Sequence, residues 1–407
     1  MVRIGRQHRG WRQAELGARI GCSASTVSRL EQSTRITDMA LLQAAAKEVG
    51  VPPPVLAVAC GFTASGASAR TTVAQESQRD AEEDPMRRRT LLAAAGSAVP
   101  ASLLAPLDDA LAVTPAPTTT GAPLDARLAR ARHQFDNGRH TALLRDLPGL
   151  LGDAHHAAAR SRSDLDHARL SSCYSLASQV LIKVGRLDRA RITADRATTY
   201  ASLSGSPLAA AAAARELAIV LRHQDQAATA QRLILAAAAD VEATGLKSEA
   251  QAAAYAALLC TTSYTAACAS DRGHALAMIG EAERAARRLP DTPPAGRLLP
   301  VSPAAVDLYA VGVHWALGDA GTALEKGNGL HASMFPTAER RARMHTDLAR
   351  AAFDWGKPDR TAEELLAAAR VSPGEVRDRP AIREIVDDLA SRHARVPGVR
   401  ELTAVVR

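Results

Sequence analysis

Between Gln13 and Glu31 the apolar positions fall three and four residues apart. Leu16 and Ile20 share one side of a first helix, and Val27 and Leu30 share one side of a second. Gly21 stands between them, where a tight helix-to-helix turn needs left-handed backbone. Ser23 is the natural N-cap of the second helix, and Cys22 and Val27 flank it as a hydrophobic staple. Trp11 and Leu16 make the matching pair for the first helix, with Glu15 three residues past the cap position. The cap itself is Arg12, whose side chain has no acceptor. The pattern therefore predicts two short helices joined at Gly21. A further helix is expected from Asp38 to Val49, capped by Thr37, stapled by Ile36 and Leu41 and closed by Gly50. Pro52 to Pro54 then open a short helix through Val55, Leu56 and Val58 that stops at Gly61.

Residues 63 to 86 turn polar and read as a linker. The next stretch, Arg87 to Gly96 with apolar residues to Ala112, is similar to a twin-arginine export signal. Such signals belong at an N-terminus, and this apolar run is broken by Pro100, Pro106, Asp108 and Asp109. A basic linker followed by a helix that packs on the next domain is the favoured reading. Val113 to Pro123 forms a second linker. From Leu124 onward strand signals vanish, and alanine-rich amphipathic segments alternate with short breaks. Five breaks share one form, at Phe135, Leu181, Ala267, Trp315 and Asp354, and Arg222 to Asp225 is a degenerate sixth. After each of the five, a helix opens with a small residue, namely Ala142, Ala190, Ala275, Ala323 or Thr361. Seven positions later stand Gly149, Ala197, Ala282 and Ala368, but Leu330 in the fourth case. Small residues at that spacing let paired helices approach closely. The expected architecture is all-α, with a helix-turn-helix domain at 1–62, a linker at 63–123, and an α-solenoid of about six helix pairs at 124–407.

What the second short helix leaves outside sets the candidate chemistry. Its outward arc is Ala24, Ser25, Ser28, Arg29 and Gln32, low in profile and free of acid. A helix of that shape fits a major groove about 12 Å wide. Arg29 can pair with guanine through two bonds, Ser25 and Ser28 can bond bases or phosphates, and Ala24 can touch a thymine methyl. Arg12, Ser23, Ser33 and Arg35 are candidates for backbone contacts. The competing reading is an ordinary helical hairpin with a polar face.

Residues 1 to 62 resemble the Xre family, the Cro/repressor class of helix-turn-helix proteins. The resemblance rests on Arg6, Gly10-Trp11, Gln13 to Leu16, Gly21, Ser23, Val27 to Glu31, Leu41-Leu42 and Val49 to Val51. It implies double-stranded DNA as partner, with Gln13 on a phosphate and Ala24, Ser25 and Arg29 facing bases. It also implies that Arg6 pairs with Glu31 to lock the first helix onto the third. Arg12 departs from the usual serine cap, at a cost of about 1 kcal/mol. The first helix has only Met1 to about His8, so it is short or its start lies upstream. The later breaks resemble the tetratricopeptide repeat, although Gly138 to Gly185 and Gly318 to Gly356 span 47 and 38 residues against about 34 for that repeat. Together the two resemblances imply a cytoplasmic, dimeric bacterial transcriptional regulator whose repeat domain senses a peptide, small molecule or protein partner. Tyr174, Gln179, Arg215, Arg222, Tyr255, Tyr264, Tyr309 and His314 are as consistent with packing as with lining an effector site. Two alternatives stay open, an interaction scaffold with a degenerate helix-turn-helix and a regulator held at a membrane through residues 87 to 112.

Charge sharpens the picture. The chain of 407 residues carries a formal +7. Residues 1 to 62 hold eight Lys or Arg (Arg3, Arg6, Arg9, Arg12, Arg19, Arg29, Arg35, Lys47) against Glu15, Glu31, Asp38 and Glu48, hence +4 of that total. Basic charge is thus concentrated where a polyanion would lie. Five scattered cysteines without a C-x-x-C predict reduced thiols and no metal or disulfide framework. Nucleophile-elbow, phosphate-loop and dinucleotide motifs are absent, so no enzyme activity and no cofactor are expected. His155, His156 and His167 lack metal-ligand spacing and are expected to be solvated.

Overall fold

A computed structural model describes residues 2, 6, 9–23, 26–27, 30–31, 39–50, 100–118, 122–294 and 296–406. Among them every regular element is helical. The chain divides into two compact units, residues 1–85 and 86–407.

In the first unit α1 (Gln13–Arg19) and α2 (Met39–Glu48) are described, together with Thr26, Val27, Leu30 and Glu31 of the helix that follows the turn. Leu16 and Val27 are fully buried, packed with Val2, Ala45, Ala46 and Val49. Burying each such aliphatic contributes about 1.5–3 kcal/mol. Ile20 and Leu30 are half-buried at the margin of this core, beside Trp11 and Cys22. Gly21 has φ +70° and Gly50 φ +78°, as their turn positions required. The expected fifth helix and the Thr37 cap lie outside the described residues.

The second unit is an array of sixteen α-helices, α3 (Ala101–Ala112), α4 (Leu124–Asp136), α5 (His140–Ser161), α6 (Asp164–Lys183), α7 (Leu187–Leu203), α8 (Pro207–His223), α9 (Ala227–Glu242), α10 (Glu249–Cys268), α11 (Arg272–Ala286), α12 (Pro303–Ala316), α13 (Ala320–Gly327), α14 (Ala338–Asp354), α15 (Pro358–Val371), α16 (Pro373–Arg377), α17 (Pro380–Arg392) and α18 (Val399–Val406). From α4 to α15 they form six antiparallel pairs. The turn inside every pair has one geometry. Its left-handed residue is Gly138, Gly185, Asp225, Ser270, Gly318 or Gly356, with φ between 59° and 82°. The next N–H reaches back five residues, as in Arg139 to Gln134 and Gln226 to Leu221, which closes each helix in the Schellman manner. The degenerate break at Arg222 to Asp225 is thus a full member of the series, with Asp225 doing what glycine does elsewhere.

Small residues pack as the spacing predicts at Ala190, Ala197, Ala275, Ala282, Ala323, Thr361 and Ala368, all without exposed surface. Ala142 departs from this, being half-buried, and its helix α5 packs through Leu143, Leu144, Leu147 and Leu151. Leu330 lies beyond the end of the short α13. The close approach there falls instead at Gly327, where a Cβ would stand 2.3 Å from Leu348 Cδ2.

The helix expected after the basic stretch is α3, and it packs on the array, with Leu104, Leu107 and Leu111 buried in its main core, so the array begins before residue 124. The apolar side of α3 is spent on protein, and among the described residues no helix is long and apolar enough to cross a membrane. The array also closes on itself. The first helices of successive pairs (α4, α6, α8, α10, α12, α14) are neighbours in turn, and α14 meets α4. At this seam Lys183 Nζ, from the end of α6, lies 2.5 Å from Glu339 of α14 and 2.7 Å from Glu375 of α16. His140, at the head of α5, bonds Asp378 at 2.9 Å. Backbones touch here too, since a Cβ on Gly374 would stand 2.5 Å from the Gly138 carbonyl oxygen.

His155 and His167 are half-buried rather than freely solvated. His155 Nε2 lies 2.7 Å from the Tyr174 hydroxyl, and His167 stacks on Tyr200. They complete an aromatic cluster around the parallel rings of Tyr174 and Tyr200, against α7. His156 alone of the three is exposed.

Candidate nucleic-acid interface

Three side chains brace the turn. The Arg6 guanidinium grips Glu31 through two bonds, Nε to Oε1 at 2.6 Å and Nη2 to Oε2 at 3.0 Å, and its Nη1 donates to the Trp11 carbonyl at 2.6 Å. The Arg6 pKa rises through the hydrogen bond to Glu31, which holds the pair charged. Gln13 Nε2 adds a third bond to Glu31, at 2.9 Å. The lock implied by the Xre resemblance is therefore present, and Gln13 shares in it. One of its two amide hydrogens is thus committed to Glu31.

The poor cap at Arg12 is compensated from the other side. Glu15 accepts from the Arg12 N–H at 2.6 Å, which supplies the half of a capping box that needs no acceptor on Arg12. The arginine side chain is left exposed beside the first N–H groups of α1. Ser23 caps the following helix, its hydroxyl accepting from Thr26 N–H at 3.2 Å. Ser23 and Arg12 thus stand at the two helix N-termini, where backbone donors favour anions. Ala24, Ser25, Ser28, Arg29, Gln32, Ser33 and Arg35 lie outside the described residues.

Two features escaped the sequence reading. Gly17 is buried where the turn folds back, and a Cβ there would stand 2.6 Å from the Cys22 carbonyl oxygen. Trp11 is more than a staple. Arg9 and Arg19 flank its ring at 5.2 and 4.1 Å from the centroid, gathering cations next to Arg12. The signal for both was the i, i+8 spacing of Trp11 and Arg19 and a glycine inside a helical pattern.

Residues 2–56 match the helix-turn-helix family model. No curated protein and no solved structure matches the chain. The match covers the braced turn and does not reach the helical array.

The candidate effector-lining residues separate into two groups. Arg132 donates to Gln179 at 2.7 Å, Arg215 to Tyr309 at 2.6 Å, and Arg222 to Thr265 at 3.3 Å beside the Tyr264 ring. The first and third join first helices of successive pairs across the inner wall of the array, and Arg215 reaches past α10 from α8 to α12. Tyr174 is instead fully buried against α5 and α7, Tyr255 faces charged groups of α9 and α11, and His314 faces Asp319 of its own turn.

Proposed function

We propose that this chain is a sequence-specific DNA-binding transcriptional regulator, acting as a cytoplasmic homodimer, whose helical array senses a peptide, small molecule or protein partner. The match over residues 2–56 carries this reading. The Arg6–Glu31–Gln13 brace supports it, because a helix that enters a groove must be held rigidly by the helix behind it. So does the exposed arginine set at the head of α1, suited to phosphates.

Gel-shift with genomic fragments at two salt concentrations tests the reading. Selected fragments are expected to bind, with affinity falling steeply as salt rises. Arg29→Ala is expected to relax base preference at a cost of about 1–3 kcal/mol, whereas Arg12→Ala weakens all fragments alike. If no fragment binds even at low salt, the helix-turn-helix is degenerate and the chain is an interaction scaffold.

A further inference from the structure

The inner wall of the array carries more cations than its carboxylates can pair. Arg343 and Arg350 stand on one face of α14 with Asp347 between them. Arg343 Nε donates to Asp347 Oδ2 at 2.7 Å, and Arg350 Nη1 lies 3.6 Å from Oδ1. Arg379 reaches the same stretch from the head of α17, its Nη1 donating to Thr346 Oγ1 at 2.8 Å. Glu375 lies 3.3 Å from Arg379 but is shared with Lys183. Arg222, at the end of α8, bonds only the Thr265 hydroxyl and covers the Tyr264 ring. Among the described residues no carboxylate forms an ion pair with it. Of the remaining acids of this wall, Glu339 is engaged with Lys183 and Arg340 and Glu216 with Arg215, while Asp136 of α4 faces Arg132 and Arg340, away from Arg222.

Two neighbouring groups report the resulting field. Burial lowers the pKa of a histidine and raises that of a phenol, whereas positive potential lowers both. His223 keeps exposed surface but is ringed by the helices of the array, and the loss of bulk water around it, then Arg222, Arg343, Arg350 and Arg379, push its pKa down to about 4. Tyr309 also moves down, because Arg215, Arg340 and Arg343 together outweigh the burial that pushes it up. The last carbonyls of α8 oppose this field with roughly half a negative charge, but that effect fades within one turn. Arg343 sits away from it, in the second turn of α14. The wall remains open to solvent, since His223 is exposed and the Arg343 side chain keeps 31% of its surface.

We propose that the inner wall binds a small polyanion, bearing phosphate or clustered carboxylate groups, clamped by Arg222, Arg343 and Arg379. Planar guanidinium forks suit either anion. The proposal deepens the sensing role given above to the array and rests on that reading only for its regulatory consequence.

Calorimetric titration of the full chain with pyrophosphate and with citrate, at matched ionic strength and without DNA, tests the site. Saturable binding of at least one probe is expected, and which probe binds identifies phosphate or carboxylate as the recognised group. Arg222→Gln, which strands no carboxylate, is expected to weaken binding at least about tenfold (~1.4 kcal/mol) without changing the unliganded melting temperature. Arg343→Lys keeps the charge but loses the fork, and is expected to weaken binding less. Failure of both probes to bind, or undiminished affinity in Arg222→Gln, overturns the proposal. Gel-shift on the same preparations is read separately. DNA binding without anion binding sinks the site alone, and anion binding without DNA binding sinks only the regulator.

Discussion

His140 has no exposed surface, yet it stands between two carboxylates, Asp378 at 2.9 Å and Glu375 at 3.6 Å. Burial alone would lower its pKa, but the hydrogen bond to Asp378 and the nearby charge of Glu375 carry it above the ordinary value near 6.5. The protonated form is therefore the one the fold stabilises. Its contribution is fully present below pH ~6.5 and is lost as pH rises through the raised value. Asp378 and Glu375 are both depressed against burial, Asp378 by its hydrogen bond to His140 and Glu375 chiefly by Lys183. Their contributions hold above the carboxylate range and disappear as pH falls through the lowered values. Melting temperatures of wild type and His140→Gln should accordingly differ most near pH 6 and converge as pH rises toward 9. A difference that does not vary with pH would show that His140 acts as a neutral spacer. Nothing in the sequence near His140 announced this role, because its partner lies 238 residues away. Arg6 and Glu31 were legible for the opposite reason: a known motif already supplied their pairing.

At the scale of elements, helical spacing and turn residues carried most of the information. The six intra-pair turns were readable because each needs a left-handed residue, and glycine marks four of them. Asp225 and Ser270 obscured the other two only partly, since short polar residues also tolerate that backbone. Helix α3 was harder to place. Its Pro106 and paired aspartates spoke against a membrane span, and which core Leu104, Leu107 and Leu111 would join had no local signal. Closure of the array had no local signal at all. It depends on Lys183 of α6 meeting Glu339 and Glu375, which no periodicity brings together. Lys183 is 10% exposed and its two partners are 6% and 0% exposed, so removing the cation leaves two buried carboxylates whose nearest remaining cations, Arg340 and Arg379, stand at 3.3 Å. Lys183→Met is expected to cost about 3–5 kcal/mol in urea unfolding. Adding Glu375→Gln to that variant should recover part of the loss, because one stranded charge is then gone. Equal stability of the single and double variants would mean that the carboxylates escape to water and that the seam is held by packing alone.

For the molecule as a whole, charge and symmetry set the remaining test. Of the formal +7, residues 1 to 62 hold +4, so the other 345 residues are close to neutral in sum. Within those residues the surplus cations of the inner wall are balanced by acids elsewhere. The basic excess per residue is therefore greatest in the N-terminal unit, where Arg9, Arg12 and Arg19 are exposed around Trp11. One such unit offers a single recognition helix and few phosphate contacts, which amounts to weak, easily salted-out binding. Two units related by a twofold axis would read half-sites about 34 Å apart, one duplex turn, and would double the salt slope. Footprinting on a bound fragment is expected to show two protected patches at that spacing, and sedimentation of the unbound chain a dimer. If a monomer protects a single patch with the salt dependence of one unit, the homodimer is wrong, while the DNA-reading helix stands.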